Sequence, residues 1–271
     1  MTPRASDRIG FMTAELNVYR YGPDGPIQVL AVHGLTGHGK RWQTLATRYL
    51  PDITIAAPDL IGHGRSSWDA PWTIDANVEA LVALVDSAGG GAPVVVLGHS
   101  FGGAVALNLA AARPDLVSAL VLLDPAIGLR GDRMREIADE MLVSPDYTDR
   151  SEARSEKASG SWADVPEDEL EAELDEHLIP RPAGGVGWRI SLPAMISYWS
   201  ELARPIVLPR NTTPTTLLRA VRTDPPYVPT RLVEGLRTTL GPHFILKDLE
   251  CDHMVPLAKP EETATAVRDR L

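Results

Sequence analysis

Gly98-His99-Ser100-Phe101-Gly102 is the stretch of this 271-residue sequence richest in chemistry. It follows an apolar run, Val94–Leu97, and leads into a small-residue helical pattern, Ala104–Ala112. A strand, then G-x-S-x-G, then a helix is the arrangement of a nucleophile elbow. The sharp turn forces the serine into a strained backbone conformation. Glycines two positions either side are needed because a Cβ there would collide with the neighbouring strand or helix. Ser100 Oγ then projects above the strand end. A serine hydroxyl is a weak nucleophile at neutral pH and needs an adjacent base. Seven histidines are available. His253 stands just after the last strand pattern, where the chain order serine, acid, histidine requires the base. His33, His63 and His99 sit in loops or in the elbow and read as hydrogen-bonding residues. His38, His177 and His243 carry no motif. No histidine pair has the spacing of zinc ligands, so neither a metal nor a cofactor is expected.

The base needs an orienting carboxylate. Asp224 follows the strand pattern Thr215–Ala220 and lies between serine and histidine in sequence. Asp124 also ends a buried strand pattern, and Asp252 adjoins His253 but should point elsewhere. Asp224 is the acid expected, with Asp124 the alternative. The developing oxyanion needs preorganised donors. His33-Gly34-Leu35-Thr36-Gly37 follows an apolar run directly, so the expected pair is the N–H groups of Leu35 and Phe101.

These groups need a scaffold that brings several strand ends together. Ile27–Val32, Ile53–Ala57, Val94–Leu97, Ala119–Leu123, Thr215–Ala220 and Phe244–Leu249 are apolar runs with little polar alternation, which suits strands of a parallel sheet. Glu15–Tyr21 alternates weakly. Helical spacing appears in Arg41–Leu50, Thr73–Ala88 with Thr73 as its cap, Arg231–Leu240 and Glu261–Leu271. Strands alternating with helices imply an α/β fold. From about 127 to 209 no buried strand is evident, and that range reads as a helical insertion in a core made of 1–126 and 210–271. Within it, Asp164 to Glu176 holds eight acidic residues and no Lys or Arg. That pattern reads as a solvated helix face.

Composition bounds the partners. Hydrophobic residues make up 44% and charged residues 23%, an ordinary globular balance. The net charge of −10 argues against nucleic acid and against anionic membranes. No apolar run reaches the length of a membrane span. The single cysteine, Cys251, leaves no internal disulfide and fits a reducing compartment. Met1–Gly10 lacks the apolar core of a signal peptide, so the expected location is cytoplasmic. A monomer or homodimer is expected.

Taken together, the chain resembles the α/β-hydrolase superfamily over nearly its whole length. The matching pieces are HGLTGHGKRW (33–42), APDLIGHGRSS (57–67), GHSFGG (98–103), RTDPPYVP (222–229) and DHMVPLAKPEE (252–262). The resemblance implies a mostly parallel central sheet flanked by helices, with a helical cap in the place of the insertion. It implies Ser100 as nucleophile, His253 as base and Asp224 as acid. Asp59, Gly62 and Gly64 fall in a loop that is structural in this family. The sequence departs from the pattern at Asp252, Ala258 and Thr223, where the family often has glycine, glutamate and glycine.

A serine in the elbow, where related dehalogenases and epoxide hydrolases carry aspartate, implies acyl transfer to water. The resemblance therefore implies a serine hydrolase acting on a small-molecule carboxylic ester, small or medium and largely apolar. Trp188, Met195, Tyr198 and Trp199 are expected to line its acyl pocket. Carbon–carbon bond hydrolysis, lactonase, thioesterase or perhydrolase activity, and a ligand receptor without turnover, are the alternatives within the same fold.

Overall fold

Seven strands carry the fold in the computed structural model, which describes residues 14–271. The reading of Met1–Gly10 lies outside the described residues. The strands are β1 (Val18–Tyr21), β2 (Val29–Val32), β3 (Ile55–Pro58), β4 (Val94–His99), β5 (Val117–Leu123), β8 (Thr215–Ala220) and β9 (Phe244–Leu249). Their order across the sheet is β1-β3-β2-β4-β5-β8-β9. β1 pairs antiparallel with β3 at one edge, and every other pairing is parallel.

Every residue of β2, β3 and β4 is buried. This explains their unbroken apolar runs, since both faces of the sheet are covered. Leu30 and Val32 of β2 join one core cluster with Leu81 of α1 (Ile74–Ala88), Leu107 of α2 (Phe101–Ala112) and Leu236 of α7 (Thr230–Leu240). Val29 and Ala31, pointing the other way, join a second cluster with Trp42, Leu45 and Val267 of α9 (Pro260–Arg268). Thr73 caps α1, its Oγ1 accepting from Ala76 N at 3.0 Å.

One expected helix takes another form. Arg41–Leu50 is divided into a 3₁₀ turn, Gly39–Trp42, and a wide turn, Leu45–Tyr49, closed by Leu50 N donating to Leu45 O at 3.0 Å. Tertiary contacts override helical spacing here. Gly39 N donates to Asp59 Oδ1 at 2.6 Å, and a Cβ on Gly39 would lie 2.1 Å from Ala57 O.

Between β5 and β8 stand α3 (Gly131–Val143), α4 (Arg150–Ser159), α5 (Glu167–His177), a hairpin of β6 (Leu178–Pro180) and β7 (Val186–Trp188), and α6 (Leu192–Glu201). The hairpin is an addition to the all-helical insertion expected over 127–209. Met195, Tyr198 and Leu202 join the main core cluster and anchor the insertion to the sheet. The acidic stretch Asp164 to Glu176 is not uniformly solvated, because Glu173 of α5 is 3% exposed. Among the described residues no helix is long and apolar enough to cross a membrane.

Candidate active site

The parallel strands end on one side of the sheet, and the candidate residues sit just past those ends. Ser100 follows β4 with φ 54° and ψ −119°, a strained conformation for a non-glycine residue. The flanking glycines explain how the turn is built. A Cβ on Gly98 would lie 2.5 Å from Gly102 O, and one on Gly102 would lie 2.2 Å from Val32 O. Ser100 O accepts from Gly103 N at 2.9 Å and from Ala126 N at 3.1 Å, which holds the turn in place.

His253 Nε2 lies 2.8 Å from Ser100 Oγ, and His253 Nδ1 lies 2.6 Å from Asp124 Oδ2. All three residues are at most 8% exposed. The acid on His253 is therefore Asp124, and the expectation of Asp224 is corrected. The reason is positional. Asp124 ends β5, the strand beside β4, and its φ of 41° turns the side chain toward His253. Its other oxygen accepts from Ala220 N at 3.1 Å. Asp224 lies beyond the end of β8, exposed, and lines an outer groove of about 610 Å³. Tyr227 of the same loop does reach the site, its ring 4.1 Å from that of His253.

The loop after β2, which holds Leu35, lies beside the serine. A Cβ on Gly34 would lie 2.9 Å from Ser100 Cβ, so this loop passes directly over the serine. His33 Nε2 accepts from Leu60 N at 2.9 Å, which leaves the proton on Nδ1 for donation to Gly34 O at 2.8 Å. Gly34 O also accepts from Gly37 N at 3.1 Å. A trans peptide sets N–H opposite C=O. Fixing the Gly34 carbonyl inside the loop thus turns the Leu35 N–H outward. Neither Leu35 N nor Phe101 N has a hydrogen-bond acceptor among the described residues.

The loop is held from the insertion as well. Arg41 Nη2 donates to Thr36 O at 2.8 Å, and Thr36 sits at φ 56°. Arg41 Nε donates in turn to Glu173 Oε2 at 2.9 Å. Glu173 also pairs with His38 Nε2 at 2.9 Å and Lys157 Nζ at 2.7 Å. Burial pushes its carboxyl up, but Arg41 and Lys157 outweigh that and hold it well below the usual range. Burial also brings the Lys157 amine down to about 8 despite Glu173.

The remaining expected histidines are structural. Burial, with His63 adding to it, keeps His33 well below its ordinary value, and burial brings His63 to about 3. His99 Nε2 lies 2.8 Å from His253 O and, through burial and the neighbouring His253, is likewise well below its ordinary value. Asp59, fully buried, accepts from Gly39 N, Asn17 Nδ2 and Arg65 N at 2.6, 3.0 and 2.8 Å and ties the 57–67 loop to the loop after β2.

The cavity over Ser100 and His253 has a volume of about 120 Å³. Of the four residues expected to bind substrate, Trp199 lines it. Met195 and Tyr198 do not. Both are fully buried, and Tyr198 Oη donates to Ile61 O at 3.0 Å and accepts from Asn77 Nδ2 at 2.8 Å. Trp188 faces a separate groove of about 630 Å³, and Lys157 Nζ lies 3.8 Å from the centroid of its ring. Aromatic type and helical spacing do not reveal which face turns inward. The cavity wall also includes Arg41, Ser161, Trp162, Leu202, Tyr227 and Met254, which the sequence reading did not single out for this place. Arg41 and Tyr227 lay inside motifs already quoted; Ser161 and Trp162 carried no signal.

Residues 29–266 match the model of a family described as the alpha/beta hydrolase family. The chain is 63% identical over 260 residues to "Lipase LipV" of Mycobacterium tuberculosis, covering 96% of this chain and 99% of that one. It is 36% identical over 100 residues to a pimeloyl-[acyl-carrier protein] methyl ester esterase of Neisseria meningitidis, covering 37% of each. Among solved structures it resembles an E-2-(acetamidomethylene)succinate hydrolase with TM-score 0.80 and 23% identity, covering 95% of each chain. It also resembles a thioesterase domain from the curacin biosynthetic pathway with TM-score 0.75 and 19% identity, covering 96% of this chain and 97% of that one. At such identities the two structures speak to fold alone.

Proposed function

The chain belongs to the alpha/beta hydrolase family and is a hydrolase of the lipase or esterase kind, and we propose that it cleaves carboxylic esters through an acyl-enzyme carried on Ser100. The observation that carries this reading is the unbroken series Asp124–His253–Ser100, with contacts of 2.6 and 2.8 Å. His253 Nε2 takes the proton from Oγ as it attacks the ester carbonyl. Asp124 holds the proton on Nδ1 and stabilises the imidazolium that forms. The Leu35 and Phe101 N–H groups receive the oxyanion. His253 then protonates the leaving alcohol, and the tetrahedral species collapses to the acyl-enzyme. A water molecule, deprotonated by the same nitrogen, attacks that ester and releases the acid and free Ser100.

A cavity of only about 120 Å³ over Ser100 and His253 supports a short acyl group beside the serine. Residues 127–209 act as a cap in this reading, supported by Ser161, Trp162, Trp199 and Leu202 in the cavity wall. The test is hydrolysis of p-nitrophenyl acetate, butyrate and decanoate by wild type and Ser100→Ala, with fluorophosphonate labelling. Turnover and labelling that both vanish in the variant are expected. A folded wild type showing neither would overturn the reading.

A further inference from the structure

The cluster beside the catalytic cavity holds more positive than negative charge. Arg41 and Lys157 have side chains 7% and 8% exposed, and both pair with the one buried carboxylate of Glu173. His177, packed against His38, adds no charge, because burial and His38 keep it well below its ordinary value. The surplus runs against the whole chain, which has 36 acidic and 26 basic residues. A buried charge lacking a counter-charge is destabilising unless something pairs with it.

Lys157 disperses its charge over two indoles, with Nζ 4.3 Å from the centroid of Trp162 and 3.8 Å from that of Trp188. Arg41 lies over Trp162 as well, its Cζ 5.1 Å from the ring centroid, yet its guanidinium keeps one nitrogen unpaired. Its Nε and Nη2 are occupied by Glu173 and Thr36, and Nη1 has no acceptor among the described residues. Arg41 lines the cavity that contains Ser100, whereas Glu173 lines the pocket on the other side of Arg41. The two N–H groups on Nη1 are charge-assisted donors that suit a carboxylate oxygen.

We propose that Arg41 anchors a carboxylate of the substrate, so that the favoured esters are half-esters of short dicarboxylic acids. The proposal rests on the serine-hydrolase reading above. A bound carboxylate gives the cluster two charges of each sign. The cavity of about 120 Å³ keeps the anchor close to the scissile carbonyl, which selects a short spacer between the two carboxyl groups.

The experiment compares monoethyl succinate with ethyl 4-methylpentanoate, in which two methyl groups replace the carboxylate oxygens, by pH-stat. Wild type should favour the half-ester. Arg41→Gln should lower the ratio of the two kcat/KM values about 10- to 100-fold, the range for a hydrogen bond between charged groups. Arg41→Lys should keep part of the preference. Loss of the contacts to Thr36 and Glu173 would slow both esters alike, so the ratio isolates the substrate contact. An unchanged ratio in Arg41→Gln, or a wild type that favours the neutral ester, overturns the proposal. Should Arg41→Gln not fold, wild type still decides. Succinate must inhibit p-nitrophenyl acetate hydrolysis competitively and more strongly than uncharged succinamide, and equal inhibition overturns the proposal. Wild type inert toward p-nitrophenyl acetate, or Ser100→Ala still active, would remove the serine-hydrolase reading and the proposal with it.

Discussion

Asp124→Asn and Asp224→Asn form a pair of variants that separates geometry from chain order. In Asp124→Asn the amide oxygen keeps the bond now made by Ala220 N at 3.1 Å. The amide nitrogen then faces His253 Nδ1, where a carboxylate oxygen sits at 2.6 Å. A donor opposite Nδ1 selects the imidazole tautomer protonated on Nε2. That nitrogen lies 2.8 Å from Ser100 Oγ and can no longer accept its proton. The same tautomer fault in a serine protease lowers kcat by about 10⁴. A comparable loss is expected here, about 5.4 kcal/mol of barrier, with little change in KM. Asp224 is exposed on the outer groove, and Asp224→Asn should stay within about threefold of wild type. The assay is kcat and KM for p-nitrophenyl butyrate, with melting temperatures to confirm that both variants fold. If Asp224→Asn loses as much activity as Asp124→Asn, the reasoning fails and the acid is where chain order placed it.

Four further outcomes are expected. His63 is fully buried and brought by burial to about 3, so unfolding takes up a proton below its unfolded value near 6.5; stability is complete above that pH and falls as pH drops toward 3. At pH 5 this one group costs about 2 kcal/mol, so urea midpoints at pH 7 and 5 should differ more in wild type than in His63→Gln, and equal differences would count against it. Glu173→Gln leaves Arg41 and Lys157 without their carboxylate and should destabilise the protein by about 3–5 kcal/mol in urea unfolding; a change under about 1 kcal/mol would mean the cluster is solvated. Trp199→Ala should shift p-nitrophenyl ester preference toward longer acyl chains because its indole is part of the cavity wall, and an unmoved chain-length profile would remove it from the acyl site. Gly102→Ala would put a Cβ 2.2 Å from Val32 O and should abolish soluble expression, whereas a folded, active variant would refute the tight-turn account.

What was legible in the sequence depended on whether its cause is local. Gly98, Ser100 and Gly102 were readable because the collisions that demand glycine occur within a strand-turn-helix of a dozen residues. The strands were readable because burial on both faces removes polar alternation, as in β2 and β4. The acid was not, because Asp124 and Asp224 both follow apolar strands, and only the positive φ of Asp124 and the exposed course of the 222–229 loop tell them apart. Met195, Tyr198 and Trp199 share one helix, yet the first two fill the core while Trp199 reaches the cavity. Glu173 looked like its solvated neighbours in Asp164 to Glu176. Its partners Arg41 and His38 lie more than 130 residues away in sequence.

Those distant partners bear on the electrostatics around Ser100 and His253. His99 packs against His253 with ring centroids 4.8 Å apart, and His33 and His63 pack on each other at 4.9 Å. Burial discourages protonation of His33, His63 and His99, and Arg41, itself a buried cation, adds to the effect at all three. His253 alone among these four faces a carboxylate, at 2.6 Å. The positive charge that suppresses its neighbours is held in place by Glu173, a residue of the insertion. The insertion thus contributes to the electrostatics of the site as well as to the wall of the cavity, and changes in how it seats on the sheet should alter rate and specificity together.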